Sequence, residues 1–448
     1  MNSLHADTAL LPTGWHEGVR IEIDGGRIAA VHLGQGPAAG DERHAVLVPG
    51  LGNLHSHAFQ HAMAGLTERR GREGDSFWTW RELMYRFALA MTPDDVEAVA
   101  AMLYARMLEA GFTRVGEFHY LHHDRDGRHY ADIGEMAGRI AAASSATGIG
   151  LTLLPVSYAH SDFGGAPPQP QQRRFISSPE SFARLHARSA EIVSGLEGAV
   201  LGLAPHSLRA ATPEEIAQLL ALAPDGPVHI HVAEQVAEVE ACKAHHGVGP
   251  VRLLLDNAPV DQRWCLIHAT HMTADEIAGM AARGAVAGLC PITEANLGDG
   301  IFAGTEFRQA GGAFGVGSDS NVAISLPGEL RQYEYSQRLR LRIRNAIANT
   351  GGSTGRALFD GALAGGAQAL GVPQGLAEGN WADIVSLDRS GAPYLTKDEL
   401  LDNWIFGDGI AVDSVWARGR RQVQGGRHVH RDALASAFNG VMERLTAG

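Results

Sequence analysis

The chain of 448 residues is long enough to bury a large core, either as two or three ordinary domains or as one big barrel with an accessory module. Its net charge of -13 and pI near 5.9 exclude the broad basic face of a duplex-binding protein and point to a small-molecule partner. Three cysteines, Cys242, Cys265 and Cys290, are odd in number and too scattered for a zinc ribbon, which argues against a disulfide framework and for a reducing cytoplasm.

Residues 1–11 hold no basic region followed by a sustained apolar stretch, and no later segment approaches the roughly 18 apolar residues of a membrane span. A soluble, unprocessed chain is therefore expected. Residues 18–48 read as short strands: Ile21-Glu22-Ile23 alternates before the turn Asp24-Gly25-Gly26, and an apolar run closes at Pro49. Eight short apolar runs then alternate with longer helical patterns, at 51–54, 113–118, 150–155, 200–204, 228–230, 264–267, 285–289 and 313–317. After the third run, residues 160–174 form a Pro/Gly/Gln-rich loop, placed either as a lid or as a mobile surface loop without a role. Towards the end, 382–387, 414–417 and 421–423 are again short strands between Gly-rich turns. Neither end carries enough strand for a sheet of its own, so the two are expected to pair.

This alternation predicts an α/β fold, a (β/α)8 barrel over residues 49–372, with a β-sandwich accessory domain built from residues 1–48 and 373–448. A doubly wound sheet is the alternative that strand counting leaves open.

Metal-ligand residues recur at the ends of the predicted barrel strands. His55 and His57, two apart, project from the same side at the end of the first strand. His231 ends the fifth, His268 the sixth, and Asp319 follows the eighth. Three or more nitrogen donors with a carboxylate, leaving room for water, suit a catalytic zinc or similar divalent ion. Among 22 histidines a His-x-His pair alone is weak, since His229/His231 and His428/His430 repeat it. His428 and His430 read as solvated strand residues, His229 as a hydrogen-bonded residue one layer deeper, and His271 as the start of the next helix.

At these positions the sequence resembles the amidohydrolase superfamily, through Pro49-Gly50-Leu51-Gly52-Asn53-Leu54-His55-Ser56-His57, His231-Val232-Ala233-Glu234, Leu266-Ile267-His268 and Gly317-Ser318-Asp319, in order along nearly the whole chain. Binuclear branches carry a carboxylated lysine at the end of the fourth strand, where this chain reads Leu203-Ala204-Pro205-His206-Ser207-Leu208-Arg209. The resemblance thus implies one divalent metal ion, most plainly zinc, held by His55, His57, His231 and Asp319, with His268 beside the activated water. Such an ion brings water within reach of ionisation at neutral pH. Asp319 is placed to take the water proton and Glu234 to carry a proton to a leaving nitrogen; Glu234 also suits the acidic first turn of a helix.

Within the superfamily, His57-Ala58-Phe59-Gln60-His61, the segment 77–85, Glu117-Phe118-His119-Tyr120 and Pro205-His206-Ser207-Leu208-Arg209 resemble the formimidoylglutamate deiminases of histidine degradation. That implies hydrolysis of N-formimino-L-glutamate to N-formyl-L-glutamate and ammonia, with Gln60, Glu234 and His268 at the formimino group and Arg81, Tyr120, His206 and Arg209 at the glutamate. It also implies a homodimer. Guanidinium groups recognise carboxylates by paired, charge-assisted bonds that a neutral base does not need; the bland alternatives are an exposed helix residue for Arg81 and a loop ion pair for Arg209. A purine deaminase is the nearest rival, and a catalytically silent scaffold the rival from another class. Zinc deaminases of nucleic acids are disfavoured, because His-x-Glu with Pro-Cys-x-x-Cys is absent.

Overall fold

The computed structural model describes residues 2–70 and 77–447. Four strands open the chain, β1 (Asn2–Leu11), β2 (Gly14–Asp24), β3 (Arg27–His32) and β4 (Glu42–Pro49). The central strands are β5 (Leu51–Ser56), β6 (Phe112–His119), β7 (Gly150–Ser157), β8 (Val200–Leu201), β9 (Ala204–Pro205), β10 (Val228–Val232), β11 (Trp264–His268), β12 (Val286–Leu289) and β13 (Ala313–Val316). Four more close the chain, β14 (Ile384–Asp388), β15 (Ala411–Ala417), β16 (Arg420–Gln424) and β17 (Arg427–His428).

The central strands pair in parallel as β5-β6-β7-β8 and β10-β11-β12-β13. Parallel bridges Leu203↔Val228 and Ser207↔His231 join the β8/β9 position to β10, and Ser56↔Asp319 joins the end of β13 to β5. With β8 and β9 sharing one position, the ring closes as a (β/α)8 barrel. Its lower interior is filled by Leu54, Cys265, Ile267 and Val286 packed on Ala369 and Leu370 of helix Thr354–Leu370. The helix starts carry their own signals: Thr212 with Glu215 and Thr273 with Glu276 form reciprocal capping boxes that satisfy otherwise orphaned amides.

The terminal strands form one sheet in the order β17-β16-β15-β14-β4-β1-β2-β3. The two ends of the chain meet where β14 runs antiparallel to β4, Ile384 opposite Pro49 and Leu387 opposite Val46. Leu4, Val19, Ile21, Leu47, Ile384 and Trp416 share one apolar cluster on one face, while Val46, Val48, Val385 and Val415 on the other join the main core. Arg27 on the far edge strand bridges to Trp381 and stacks 3.8 Å over its ring, so the sheet curls onto itself and supplies both layers of a sandwich. Strand β1 escaped the sequence reading because its inward residues include Ala6 and Ala9, too small to register as an apolar run.

Two histidines differ from expectation: His271 lies in the loop ahead of helix Ala274–Arg283, its Nε2 donating to Asp299 O at 2.8 Å, and His428 is the other. His428 is buried rather than solvated, its Nε2 donating to Thr147 O at 2.9 Å, which ties the terminal sheet to the barrel wall; His430 is exposed. His229 lies inside the barrel and donates to Ala369 O at 2.8 Å. The helix Thr354–Leu370 lies so close to β13 that a Cβ on Gly365 would stand 1.9 Å from Phe314 O. Gly365→Ala is therefore expected to lower stability by about 3 kcal/mol through overpacking, read as a drop in thermal midpoint; an unchanged midpoint would show that the helix is free to move off the strand.

Candidate metal centre and active-site cleft

The barrel strands deliver their C-terminal ends to one mouth, where chemistry sits in this fold. His55 lies within β5 and His57 just beyond it, His231 within β10, His268 at the end of β11, and Asp319 in the turn after β13. The turn is knitted to β5: Asp319 N donates to His55 O at 3.0 Å and His57 N to Asp319 O at 3.1 Å. Asn321 Nδ2 donates to the carbonyls of both His57 and Asp319. Ala233, His268 and Asp319 adopt left-handed φ of 53°, 66° and 45°, a conformation costly for residues with a Cβ and concentrated at functional sites.

His57 Nδ1 donates to Phe118 O and His231 Nδ1 to His206 O, each at 3.0 Å. Those bonds fix the tautomer and leave the Nε2 lone pairs pointing inward. There His231 Nε2 lies 3.0 Å from His55 Nε2 and 3.3 Å from His57 Nε2, and Asp319 Oδ1 lies 3.2 Å from both His55 and His57 Nε2. Ligand atoms of all four residues fall within 4.8 Å of one another. Burial pushes His55 down to about 3 and His231 well below the usual imidazole range, so protons do not relieve the crowding of lone pairs. Burial opposes ionisation of Asp319 as well, yet the adjoining His55 and His57 imidazoles hold its carboxyl well below the usual range. Neutral imidazole nitrogens and one carboxylate oxygen converging in a buried space form a ligand set for a divalent cation.

Beside this group, His268 Nδ1 faces Glu294 Oε1 at 3.3 Å, and its Nε2 lies 3.7 Å from Glu234 Oε1 and 3.9 Å from Asp319 Oδ2. Burial lifts Glu234 to about 7, with Asp319 adding to the effect and His268 opposing it. For His268, burial works against the charged form, but Glu234, Glu294 and Asp319 outweigh it and raise the imidazole. A carboxyl poised near neutrality beside an imidazole is the arrangement proton transfer requires.

His57, His231, Glu234, His268 and Asp319 line one cleft together with the residues expected to meet a substrate. Gln60 Nε2 donates to Tyr120 OH at 2.7 Å, joining two residues expected to act separately. The His206 ring packs 4.5 Å from Tyr158 and 5.6 Å from Tyr120. Arg209 is buried, its Nε without a partner, and among the described residues no carboxylate forms an ion pair with it, so the loop ion pair is not what holds it. Arg81, on helix Phe77–Ala90, reaches the same cleft with its guanidinium 5.7 Å from the Tyr85 ring. Every expected site residue lines the cleft except His55, which stands behind His57 and His231. The sequence reading missed Tyr158 and Phe175, which wall the cleft, and Glu294; Tyr158 follows β7 directly, the strand-end position that identified the others.

With the geometry established, the class follows: the chain belongs to the amidohydrolase family, whose profile matches residues 46–421, a family of metal-dependent hydrolases. Residues 1–45 match the N-terminal domain of formimidoylglutamate deiminase HutF. The chain is 51% identical to formimidoylglutamate deiminase from Pseudomonas aeruginosa, over 99% of this chain and 100% of that one. In three dimensions it is similar to an amidohydrolase from Brucella melitensis, with a TM-score of 0.98 and 59% identity, covering 99% of this chain and 100% of that one. An adenosine deaminase from Xanthomonas campestris with bound zinc, 22% identical, shares the fold at a TM-score of 0.81, covering 100% of this chain and 98% of that one.

His231→Ala removes the donor that touches both other imidazoles. The purified variant is expected to keep its circular dichroism spectrum and to lose most of its bound divalent metal by elemental analysis; full metal content would exclude His231 from the ligand set.

Proposed function

We propose that this protein hydrolyses N-formimino-L-glutamate to N-formyl-L-glutamate and ammonia, as an enzyme of histidine degradation. The single observation that carries the reading is one cleft lined by the metal-ligand and proton-carrying residues His57, His231, Asp319, Glu234 and His268 together with two arginines, Arg81 and Arg209, in a chain 51% identical along its length to a formimidoylglutamate deiminase. An amidine that also carries two carboxylates matches both sets of groups at once.

The ligands proposed are His55, His57, His231 and Asp319, and the ion is zinc, which suits imidazole nitrogens with one carboxylate. One ion is proposed because the chain's lysines, Lys243 and Lys397, do not line the cleft. When bound, the cation supplies Lewis acidity that brings a water near ionisation at neutral pH. Asp319 takes the first proton as the water oxygen bonds to the formimino carbon, and His268 steadies the charge that develops on that oxygen. Glu234 delivers a proton to the terminal nitrogen. The carbon–nitrogen bond then breaks as Asp319 passes its proton to the same nitrogen and the adduct hydroxyl gives its remaining proton to Glu234, so that ammonia leaves with three hydrogens and both carboxyl groups return to their starting states. Gln60, bonded to Tyr120, orients the formimino group, while Arg81, Tyr120, His206 and Arg209 hold the glutamate moiety.

The domain boundaries proposed are a catalytic barrel of residues 49–372 and an accessory domain of residues 1–48 and 373–448. A cytoplasmic location is proposed on the three free, buried cysteines; no helix among the described residues is long and apolar enough to cross a membrane. A homodimer is proposed as well, with support from Leu339 and Ile343, exposed 78% and 50% on one stretch of surface.

Ammonia release from N-formimino-L-glutamate, N-formimino-L-aspartate and guanine tests the assignment. N-formimino-L-glutamate is expected to be the preferred substrate, and guanine to release none; a preference for guanine would overturn the reading. Arg209→Met is expected to lower kcat/KM for N-formimino-L-glutamate by roughly 100-fold or more, the loss of a buried charged hydrogen-bond partner. An unchanged kcat/KM would remove Arg209 from carboxylate recognition.

A further inference from the structure

Asp319 faces two ligand groups, not one. Its Oδ1 lies 3.2 Å from His55 and His57 Nε2, whereas its Oδ2 turns away from them toward His268 Nε2, 3.9 Å distant. The second side is completed by Cys290, whose thiol is fully buried. Donor atoms of His268, Cys290 and Asp319 all lie within 4.8 Å of one another. His268 ends β11 and Cys290 directly follows β12, its hydrogen-bonded neighbour in the barrel, while Asp319 lies in the turn after β13 that backbone hydrogen bonds tie to His55 and His57. With His268 Nδ1 turned to Glu294, the nitrogen left for a ligand is Nε2, the one that points at Asp319.

We propose that His268 Nε2, Cys290 Sγ and Asp319 Oδ2 form a second, weaker site for a thiophilic divalent cation, adjacent to the first and sharing Asp319 with it, and that filling this site inhibits the enzyme. The proposal rests on the reading of the first group as the catalytic metal centre. A thiolate, an imidazole and a carboxylate are the donor set zinc and cadmium favour, with water as a fourth ligand. Glu234, 3.7 Å from His268, and Glu294, 3.3 Å from its other nitrogen, surround the site with carboxyl groups, which favour a cation over an anion. Binding is weaker than at the first centre for two reasons: there are three protein donors instead of four, and a second cation is repelled by the one already sharing the carboxylate. When the ion enters, the Cys290 thiol gives up its proton to solvent, as does any proton on His268 Nε2, and the sulfur lone pair goes to the metal. Inhibition follows directly, because the ion takes the Asp319 oxygen and the His268 nitrogen that otherwise manage the proton of the attacking water and the charge on its oxygen.

The test uses the zinc-loaded enzyme titrated with excess Zn2+ and, separately, with Cd2+. Three quantities are followed: ions bound per chain by equilibrium dialysis, the ultraviolet thiolate-to-cadmium charge-transfer band, and ammonia release. The wild type is expected to take up a second equivalent, to gain the band with Cd2+ as that equivalent binds, and to lose activity in parallel. Cys290→Ser is expected to keep the first equivalent and its activity, to show no band, and to need at least about tenfold more metal for inhibition. Cys290→Ala, which suits the apolar surroundings of the thiol, repeats the comparison if serine disturbs folding. Absence of a second equivalent in the wild type, or a band and inhibition that persist in both variants, would overturn the proposal. An enzyme with no first equivalent and no ammonia release would instead sink the catalytic reading on which it rests.

Discussion

The Nε2 atoms of His55, His57 and His231 and the carboxylate of Asp319 occupy a buried space in which their lone pairs have no way to avoid one another. Backbone carbonyls at Phe118 and His206 take the Nδ1 protons of His57 and His231, so neither ring rotates its way out. A cation converts this repulsion into attraction, and much of the barrel mouth is arranged to keep the group in place. Ser318 and Asn321 lock the turn after β13 to Asn53 and Ser56 on β5. Left-handed backbone at Ala233, His268 and Asp319 costs on the order of 1–3 kcal/mol per residue, and it persists because strands and turns on both sides over-determine it.

The cleft is lined by two chemically different sets of groups. In one, Glu234, His268 and Asp319 form a mixed acid–base cluster in which burial opposes each charge. The other set is Arg81 and Arg209, which share the lining with Tyr85, Tyr120 and Tyr158, and the buried Arg209 Nε has no protein acceptor among the described residues. A buried guanidinium donor left open costs free energy until a ligand supplies the acceptor. Under the proposed function, these two polar sets with aromatic walls suit a substrate that carries both an amidine and carboxylates. The same arrangement disfavours a neutral purine, which would leave Arg209 desolvated and unpaired.

The eight apolar runs were legible because parallel barrel strands are buried on both faces and read as unbroken apolar segments. Strand-end histidines and Asp319 were legible for the same reason, since the fold puts chemistry where those runs stop. Less visible was whatever depends on three-dimensional juxtaposition. His428 looked like a surface residue of a polar hairpin, and only the docking of that hairpin on the barrel buries it against Thr147. Strand β1 was hidden by alanines, which pack well in a tight sheet but carry little apolar signal. Glu294 lies on the short helix after β12 and shows no motif of its own; its place beneath His268 comes from the turn at Cys290-Pro291. Tyr158 could have been found by applying the strand-end rule to aromatic residues as well as to metal ligands.

Under the proposed function, the converging imidazoles and Asp319 are the cation site on which catalysis depends. The most direct measurement is ammonia release from N-formimino-L-glutamate by protein stripped of metal with a chelator, before and after one equivalent of Zn2+ is returned. No turnover before addition and full recovery after it is the predicted result. Undiminished turnover by the metal-free protein would contradict the account.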